Sequence, residues 1–328
     1  MKRKGVGLSR APRAFLPYVM LAVSGFALLN GRTVRTQVAD TSGQSYYLNA
    51  KPLLDYPLPD LLNAAPELQG LEPAKNQDDL PSISDKVGTV AEDLMDRMPD
   101  LVSHEEVTEQ RRRASGKVEA HRRVEFEYMI LVHRQDSTIS LDEYRTGPSG
   151  TPVEQSGPEE GFMLTRGFAS AWEHFLPPVQ AAARFRYLGQ QTHNGLRCYV
   201  VAFAQKPGSA TIIGRFSYSY GVKSVCILYQ GIAWIDEATF RIVRLRTDLL
   251  APRPDIALER LTTDLDLGEI RLPQIGVPLW LPQQVALTAD SDQEHFRNLH
   301  RYSGYRLFQV ESKILPAPPG EPATKKPD

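Results

Sequence analysis

From Val225 to Leu250 the chain reads VCILYQGIAWIDEATFRIVRLRTDLL. Cys226, Leu228, Ile232 and Trp234 alternate with Val225, Ile227, Tyr229, Ala233 and Ile235, so both parities are apolar. That pattern predicts a central β-strand covered on both faces. Asp236 to Thr239 supplies a reversal, because Asp favours the first turn position and its carboxylate can hold nearby backbone N–H groups. Phe240, Ile242, Val243 and Leu245 restart the β pattern. Arg244 and Arg246 fall on one face and Arg241 on the other, so this second strand is expected to lie less deep than the first. Trp234 is expected to be buried at the centre of the hairpin.

Elsewhere the period changes. Over Pro81 to Met98, the residues Ile83, Val87, Val90, Leu94 and Met98 recur at three- and four-residue steps and predict an amphipathic helix packed on a sheet. Pro81 suits its first turn and Pro99 ends it. Short helical pieces are expected after Pro59 and Pro66. From Glu105 onward the pattern is that of successive strands. They include 124–134, 138–146, 185–188, 198–205, 256–267, 279–289 and a final pair near 296–302 and 305–313. A second helix is expected over Arg166 to Leu176, with Phe168, Trp172 and Phe175 on one face and Pro177 as its stop. Strands separated by short turns favour an antiparallel meander.

The first residues add a compartment. Lys2, Arg3, Lys4, Arg10 and Arg13 precede an apolar run from Ala14 to Leu29, the plan of an export signal. Two fates are open: cleavage after Ala27, or retention as a membrane anchor. The full chain carries 38 basic and 39 acidic side chains, so the part beyond residue 27 holds 33 against 39. An acidic body offers no electrostatic footprint for nucleic acid. The expected organisation is a signal at 1–27, an irregular and helical region at 28–100, a β domain at 101–315 and a Pro-rich disordered tail at 316–328.

Chemical motifs are missing from the sequence. It has no G-x-S-x-G, no H-E-x-x-H and no Gly-rich phosphate loop. His295 and His300 fall on opposite faces of an extended strand, and His104, His174 and His193 have no ligand partner at metal-binding spacing. No metal, cofactor or enzymatic activity is expected. Asp264 and Asp266 share a strand face, where a solvated sheet surface is a simpler reading than calcium ligation. Cys198 and Cys226 are the two cysteines. They form a disulfide if their strands pair directly with the two residues opposed, and remain buried thiols if another strand intervenes.

The order of elements, with the strand YVVAF (Tyr199 to Phe203), the hairpin AWIDEATFRIVRLRTD (Ala233 to Asp248) and LWLPQQVAL (Leu279 to Leu287), resembles the LolA/LolB-like superfamily. That superfamily comprises periplasmic lipoprotein carriers and their RseB/MucB-type regulatory relatives. The resemblance covers Ile83 to Leu315. It implies an α+β fold, a curved antiparallel sheet forming an unclosed β-barrel, with helices covering the open side. It further implies an exported, non-enzymatic protein that holds a lipid or a lipoprotein acyl chain in an apolar groove. Phe168, Trp172, Phe175 and Trp234 are the expected lining. The alternative is an envelope interaction or sensing module with a protein partner, a packed core and no ligand. No acyl-binding residue of the carriers can be matched to a position in this chain.

Overall fold

The computed structural model describes residues 19–23, 44–113, 115–135, 138–147, 149–150, 152–153, 168–169, 171–209, 214–218, 224–291 and 294–308. The expected tail at 316–328 and all of the expected signal except Val19–Val23 lie outside these residues. In chain order the elements begin with strand β1 (Val19–Val23), helices α1 (Gln44–Tyr47) and α2 (Leu58–Ala64), strand β2 (Glu72–Pro73) and helix α3 (Leu80–Arg97). Strands β3 (Leu101–Arg113), β4 (Val118–Gln135) and β5 (Thr138–Thr146) and helix α4 (Pro177–Gln180) follow. Then come β6 (Ala183–His193), β7 (Leu196–Gln205), β8 (Gly214–Tyr218), β9 (Ser224–Ile227), β10 (Tyr229–Asp236), β11 (Ile242–Leu249), β12 (Arg260–Ile270), β13 (Leu279–Ser291) and β14 (Glu294–Leu307).

Eleven strands form one antiparallel sheet in the order β2-β6-β7-β10-β11-β12-β13-β14-β3-β4-β5. Its first and last strands do not pair, so it is not closed. It is nevertheless wrapped around a common centre. One apolar cluster takes side chains from every strand of the sheet except β2, from Tyr187 in β6 across Val201, Ala233, Leu245, Leu265, Leu281 and Tyr302 to Leu141 in β5. A flat sheet of that width could not bring these residues to a single core. The architecture is therefore α+β, a curved unclosed sheet with helical pieces over its inner face.

Helix α3 supplies much of that inner cover. Its N-terminal turn contains Pro81, where a missing N–H costs nothing. Ile83, Val87, Ala91 and Met95 are buried on the sheet. The contact face is rotated slightly from the expected stripe, for Val90 and Leu94 are only half-buried. Each fully buried aliphatic side chain of this face contributes about 1.5–3 kcal/mol.

The outer face is covered by the N-terminal segment. Tyr47, Leu53, Leu54, Leu61 and Leu68 form a second cluster with Val200, Ala202, Ile232, Trp234 and Val243. A segment that looked irregular in sequence thus covers the outer face of β7, β10 and β11, using single helical turns. Its backbone is tied in as well, because the Leu53 N–H donates to Gln230 Oε1 at 2.6 Å.

The expected hairpin exists, with one change. β10 pairs with β11 through Trp234↔Arg244, and the turn is closed by Asp236, whose carboxylate accepts the Thr239 N–H at 3.0 Å. The long first strand, however, is divided at Leu228. Ser224–Ile227 belongs to a separate three-stranded sheet with β8 and β1. Leu228 leaves the ladder because its N–H donates to the Tyr47 hydroxyl at 3.2 Å and its carbonyl accepts from Leu250 at 2.8 Å. The second strand is also deeper than expected: six of its eight residues are buried, and Arg246 is drawn inward by Glu67 and Asp248.

Two other expectations are corrected, and the alternatives left open for the cysteines are decided. The final strand pair is one continuous strand, β14, because Gly304-Tyr305 forms a bulge, with Gly304 at φ 62°, rather than a turn. The helix expected over Arg166 to Leu176 is a 3-10 turn, Ala171–Phe175, in its described part. Cys198 lies opposite Asp236 on one side and Gln191 on the other, whereas Cys226 lies opposite Arg215 in the small sheet. Their strands do not pair, and Cys198 is a buried free thiol, so the disulfide is absent.

Trp234 is 1% exposed; its indole N–H donates to Gln191 Oε1 at 2.8 Å, and the Arg244 guanidinium lies 4.7 Å from the ring centre. Trp234→Ala is expected to cost about 3–5 kcal/mol, as deletion of a core aromatic ring. Urea unfolding measures this, and a loss below about 1 kcal/mol would contradict the packing described.

Candidate functional site

The alternation along β10 shapes the interior. Ile232 and Trp234 face outward, while Gly231, Ala233 and Ile235 carry the opposite parity. Gly231 stands opposite Phe203, and a Cβ there would meet the Arg246 carbonyl oxygen at 2.1 Å and the Phe203 ring at 2.7 Å. The absence of side-chain bulk lets aromatic rings collect over this part of the sheet. Phe175 packs on Phe203 and on Phe185, each at 5.6 Å between centres, and His174 lies 4.9 Å from Phe203.

Beside this aromatic plug an apolar groove opens between α3 and the sheet, enclosing about 150 Å³. Val87, Val90 and Leu94 form its helical wall. Phe240, Ile242, Leu279 and Trp280 form its sheet wall, with Trp172 between them and Val277-Pro278 at the edge. Asp93, Arg97 and Arg241 are the charged residues of its lining. Phe240 reaches the wall by taking φ 56°, a left-handed conformation disfavoured for an aromatic residue. It is held there by its N–H, which donates to the Asp236 carbonyl at 2.8 Å. Its ring stacks on Tyr199, 5.9 Å between centres, and the Lys86 ammonium lies 4.6 Å from its own centre.

The four aromatic residues expected from sequence to line a groove therefore divide. Trp172 lines it. Phe168 and Phe175 are buried in the inner core, Phe168 with its ring 5.0 Å from His300. Trp234 belongs to the outer cluster, on the other side of the sheet. Phe168 lies outside the 3-10 turn Ala171–Phe175, so the four-residue step from Phe168 to Trp172 is not a helical repeat. The sequence reading missed Phe240 and Trp280. Trp280 was visible in LWLPQQVAL as an aromatic residue flanked by leucines, but nothing local indicated that α3 would stop short of it.

A second constellation also escaped the sequence reading. Glu105 Oε1 accepts from the Tyr302 hydroxyl at 2.7 Å and from Arg145 at 2.7 Å, and lies 2.8 Å from His300 Nδ1. Arg145 and Glu105 are both fully enclosed. Burial opposes ionisation of Glu105, yet the Arg145 guanidinium and these hydrogen bonds hold its carboxyl below the usual range. The register that pairs β14 with β3 and β4 with β5 assembles the group from residues up to 197 apart in sequence. None of the four lines the groove. We read them as an internal tie between strands. Asp264 and Asp266 are engaged by Arg244 and His193, respectively. Among the described residues, no group of three or more His, Cys, Asp or Glu side chains is placed to hold a metal ion.

The 3-10 turn carries two buried titratable groups. Burial lowers His174 to about 4. Burial first, then the Glu143 carboxylate, raises Glu173 to about 8. Glu143 in turn accepts the Ala169 N–H at 2.9 Å, so the turn and the residues leading into it are seated on a carboxylate pair.

No protein-family model matches the chain, and no curated protein sequence does. Solved structures similar to it include a domain described as an outer membrane lipoprotein-sorting protein from Vibrio parahaemolyticus. It has 13% identity, covers 70% of this chain and 93% of that one, and has a TM-score of 0.36. A DUF1329 family protein from Desulfovibrio piger has 14% identity, covers 72% of this chain and 95% of its own, and has a TM-score of 0.36. A LolA superfamily protein from Nitrosomonas europaea has 12% identity, covers 70% and 94%, and has a TM-score of 0.30. At such TM-scores these likenesses carry no argument. The fold stated above rests on strand order and register, and the groove on its own lining.

The linkage of Glu173 to folding gives a signed prediction. In the unfolded chain this carboxyl releases its proton near its ordinary 4.5, and in the folded protein near 8. Between the two values the folded state binds more protons, so this group's contribution to stability falls as pH rises and levels off above the folded value. Glu173→Gln removes that loss. Its melting temperature relative to wild type should therefore increase from about pH 5 to about pH 8, and a pH-independent difference in thermal melts would contradict the assignment.

Proposed function

We propose that the protein is an exported, non-enzymatic carrier or sensor that holds an acyl chain in the groove between α3 and the sheet. The observation that carries this reading is the groove itself: walls mostly of aliphatic and aromatic side chains, with Asp93, Arg97, Thr239 and Arg241 the polar exceptions. Ligand pockets are largely apolar with a few polar groups that fix orientation. The sequence resemblance over Ile83 to Leu315 implies the same ligand class. Export is supported by the basic start and short apolar run of the first 29 residues. Val19–Val23, within that run, pairs with β8 as an edge strand of the small sheet. No helix among the described residues is long and apolar enough to cross a membrane.

At about 150 Å³ the groove matches a cavity that takes a benzene-sized group. In this conformation it admits a short length of one chain and has no room for several chains at once. Trp172 is a poor probe of it, since at 3% exposure its removal would unfold the core as well as open the groove. Val90 is better placed, half-buried and in the wall. Val90→Phe should fill the groove and weaken binding of a fluorescent fatty acid by about tenfold, the equivalent of some 50 Å² of lost apolar contact. The urea midpoint should not fall. Absence of saturable binding to wild type, or equal binding to wild type and variant, would favour a packed envelope interaction module with no ligand.

A further inference from the structure

Beside the groove lie cations that no carboxylate among the described residues neutralises. The Arg241 guanidinium lies 5.2 Å from the centre of the Trp280 ring, and the Lys86 ammonium 4.6 Å from that of Phe240. Both rings are part of the groove wall. Neither cation has a carboxylate within ion-pair distance among the described residues. Arg97, by contrast, is paired with Asp93 at 2.9 Å. Two donors are also left over. The indole N–H groups of Trp172 and Trp280 are buried and have no acceptor among the described residues, and both residues line the groove. A buried donor without a partner is costly, and native proteins seldom keep one unless something outside the chain satisfies it. Among the described residues, two donors without an acceptor and one unpaired cation, Arg241, line this apolar cavity, and a second unpaired cation, Lys86, lies on the Phe240 ring of its wall; together they suit an anion attached to a hydrocarbon chain.

Resting on the acyl-chain reading above, we propose that the occupant is a single-chain fatty carboxylate. Its head lies at the rim by Arg241 and Lys86, and the first part of its tail lies against Leu279 and Val87. A carboxylate has two acceptor oxygens and matches the planar guanidinium fork. Arg241 lies over the Trp280 ring, so less side-chain freedom is lost when the pair forms. An ammonium head has no acceptor and is repelled by both cations; a neutral hydroxyl can accept from one indole but leaves both cations without a counter-charge.

Four amphiphiles with the same tail separate the terms: dodecanoate, dodecyl phosphate, dodecanol and dodecylammonium, titrated calorimetrically below their micelle concentrations into the folded full chain. Dodecanoate is expected to bind at least about tenfold more tightly than dodecanol, the range of a charge-assisted hydrogen bond. Dodecylammonium is expected to bind more weakly than dodecanol. In Arg241→Gln and Lys86→Gln, each checked by its thermal melt, the ratio of dodecanoate to dodecanol affinity should fall toward one. Trp280→Phe should lower the same ratio while the two cations are retained. Equal affinity for dodecanoate and dodecanol, or an unchanged ratio in the rim variants, overturns the head-group assignment and leaves the acyl groove standing. Tighter binding of dodecyl phosphate than of dodecanoate overturns the carboxylate in favour of a phosphate head. Binding of none of the four overturns the acyl reading itself.

Discussion

The structure depends on the enclosure of one strand. All eight residues of Tyr229–Asp236 are buried, with β7 and β11 on its edges, the N-terminal turns over one face and the aromatic plug over the other. The two faces are unequal. Outward lie Ile232 and Trp234, which fill the space beneath Leu61 and Leu68. Inward, with Ile235, lie Gly231 and Ala233, whose small size leaves room for Phe203 and the rings stacked on it. A larger side chain at Gly231 would collide with Phe203 and the Arg246 carbonyl, and small residues at Ile232 and Trp234 would empty the outer core. Close packing makes each of these volumes felt by its neighbours.

The groove follows from the same arrangement. α3 reaches across the inner face from Ile83 to Met95, but on the side of β11 and β13 its wall is Val90 and Leu94, which are only half-buried. The turn after β10 then places Phe240 at the opening through a strained backbone, with Trp280 beside it from β13. At the other end of the sheet the enclosed Glu105–Arg145 pair and its histidine and tyrosine partners join β3, β5 and β14. Removing one member of a buried ion pair costs about 3–5 kcal/mol, because the remaining charge is stranded. That end is held by a buried ion pair, whereas the groove is walled mainly by apolar side chains.

Much of the scaffold was legible because it is written in periodicity. The helix over Leu80–Arg97, the strand Thr138–Thr146 and the reversal at Asp236 all follow from local residue order. Parity alone also places Trp234 on the opposite side of β10 from Ala233. It does not say which side the plug will occupy, so Trp234 was grouped with Phe168, Trp172 and Phe175. The residues that failed to read correctly are those governed by distant partners. Leu228 breaks a strand because of Tyr47, 181 residues earlier. Cys198 finds Asp236 instead of Cys226 because β10, and not β9, adds to β7. The Glu105 network needs a register between β3 and β14 that no local pattern encodes.

The account makes β10 the most enclosed part of the molecule, and native-state hydrogen exchange tests that directly. The amides of Ile232 to Ile235 should exchange only through global unfolding, with the largest protection in the protein, while those of the edge strand β5 exchange through smaller local openings. Exchange from β10 at rates matching those of β5 would contradict it, because a strand covered on both faces and paired on both edges cannot open locally.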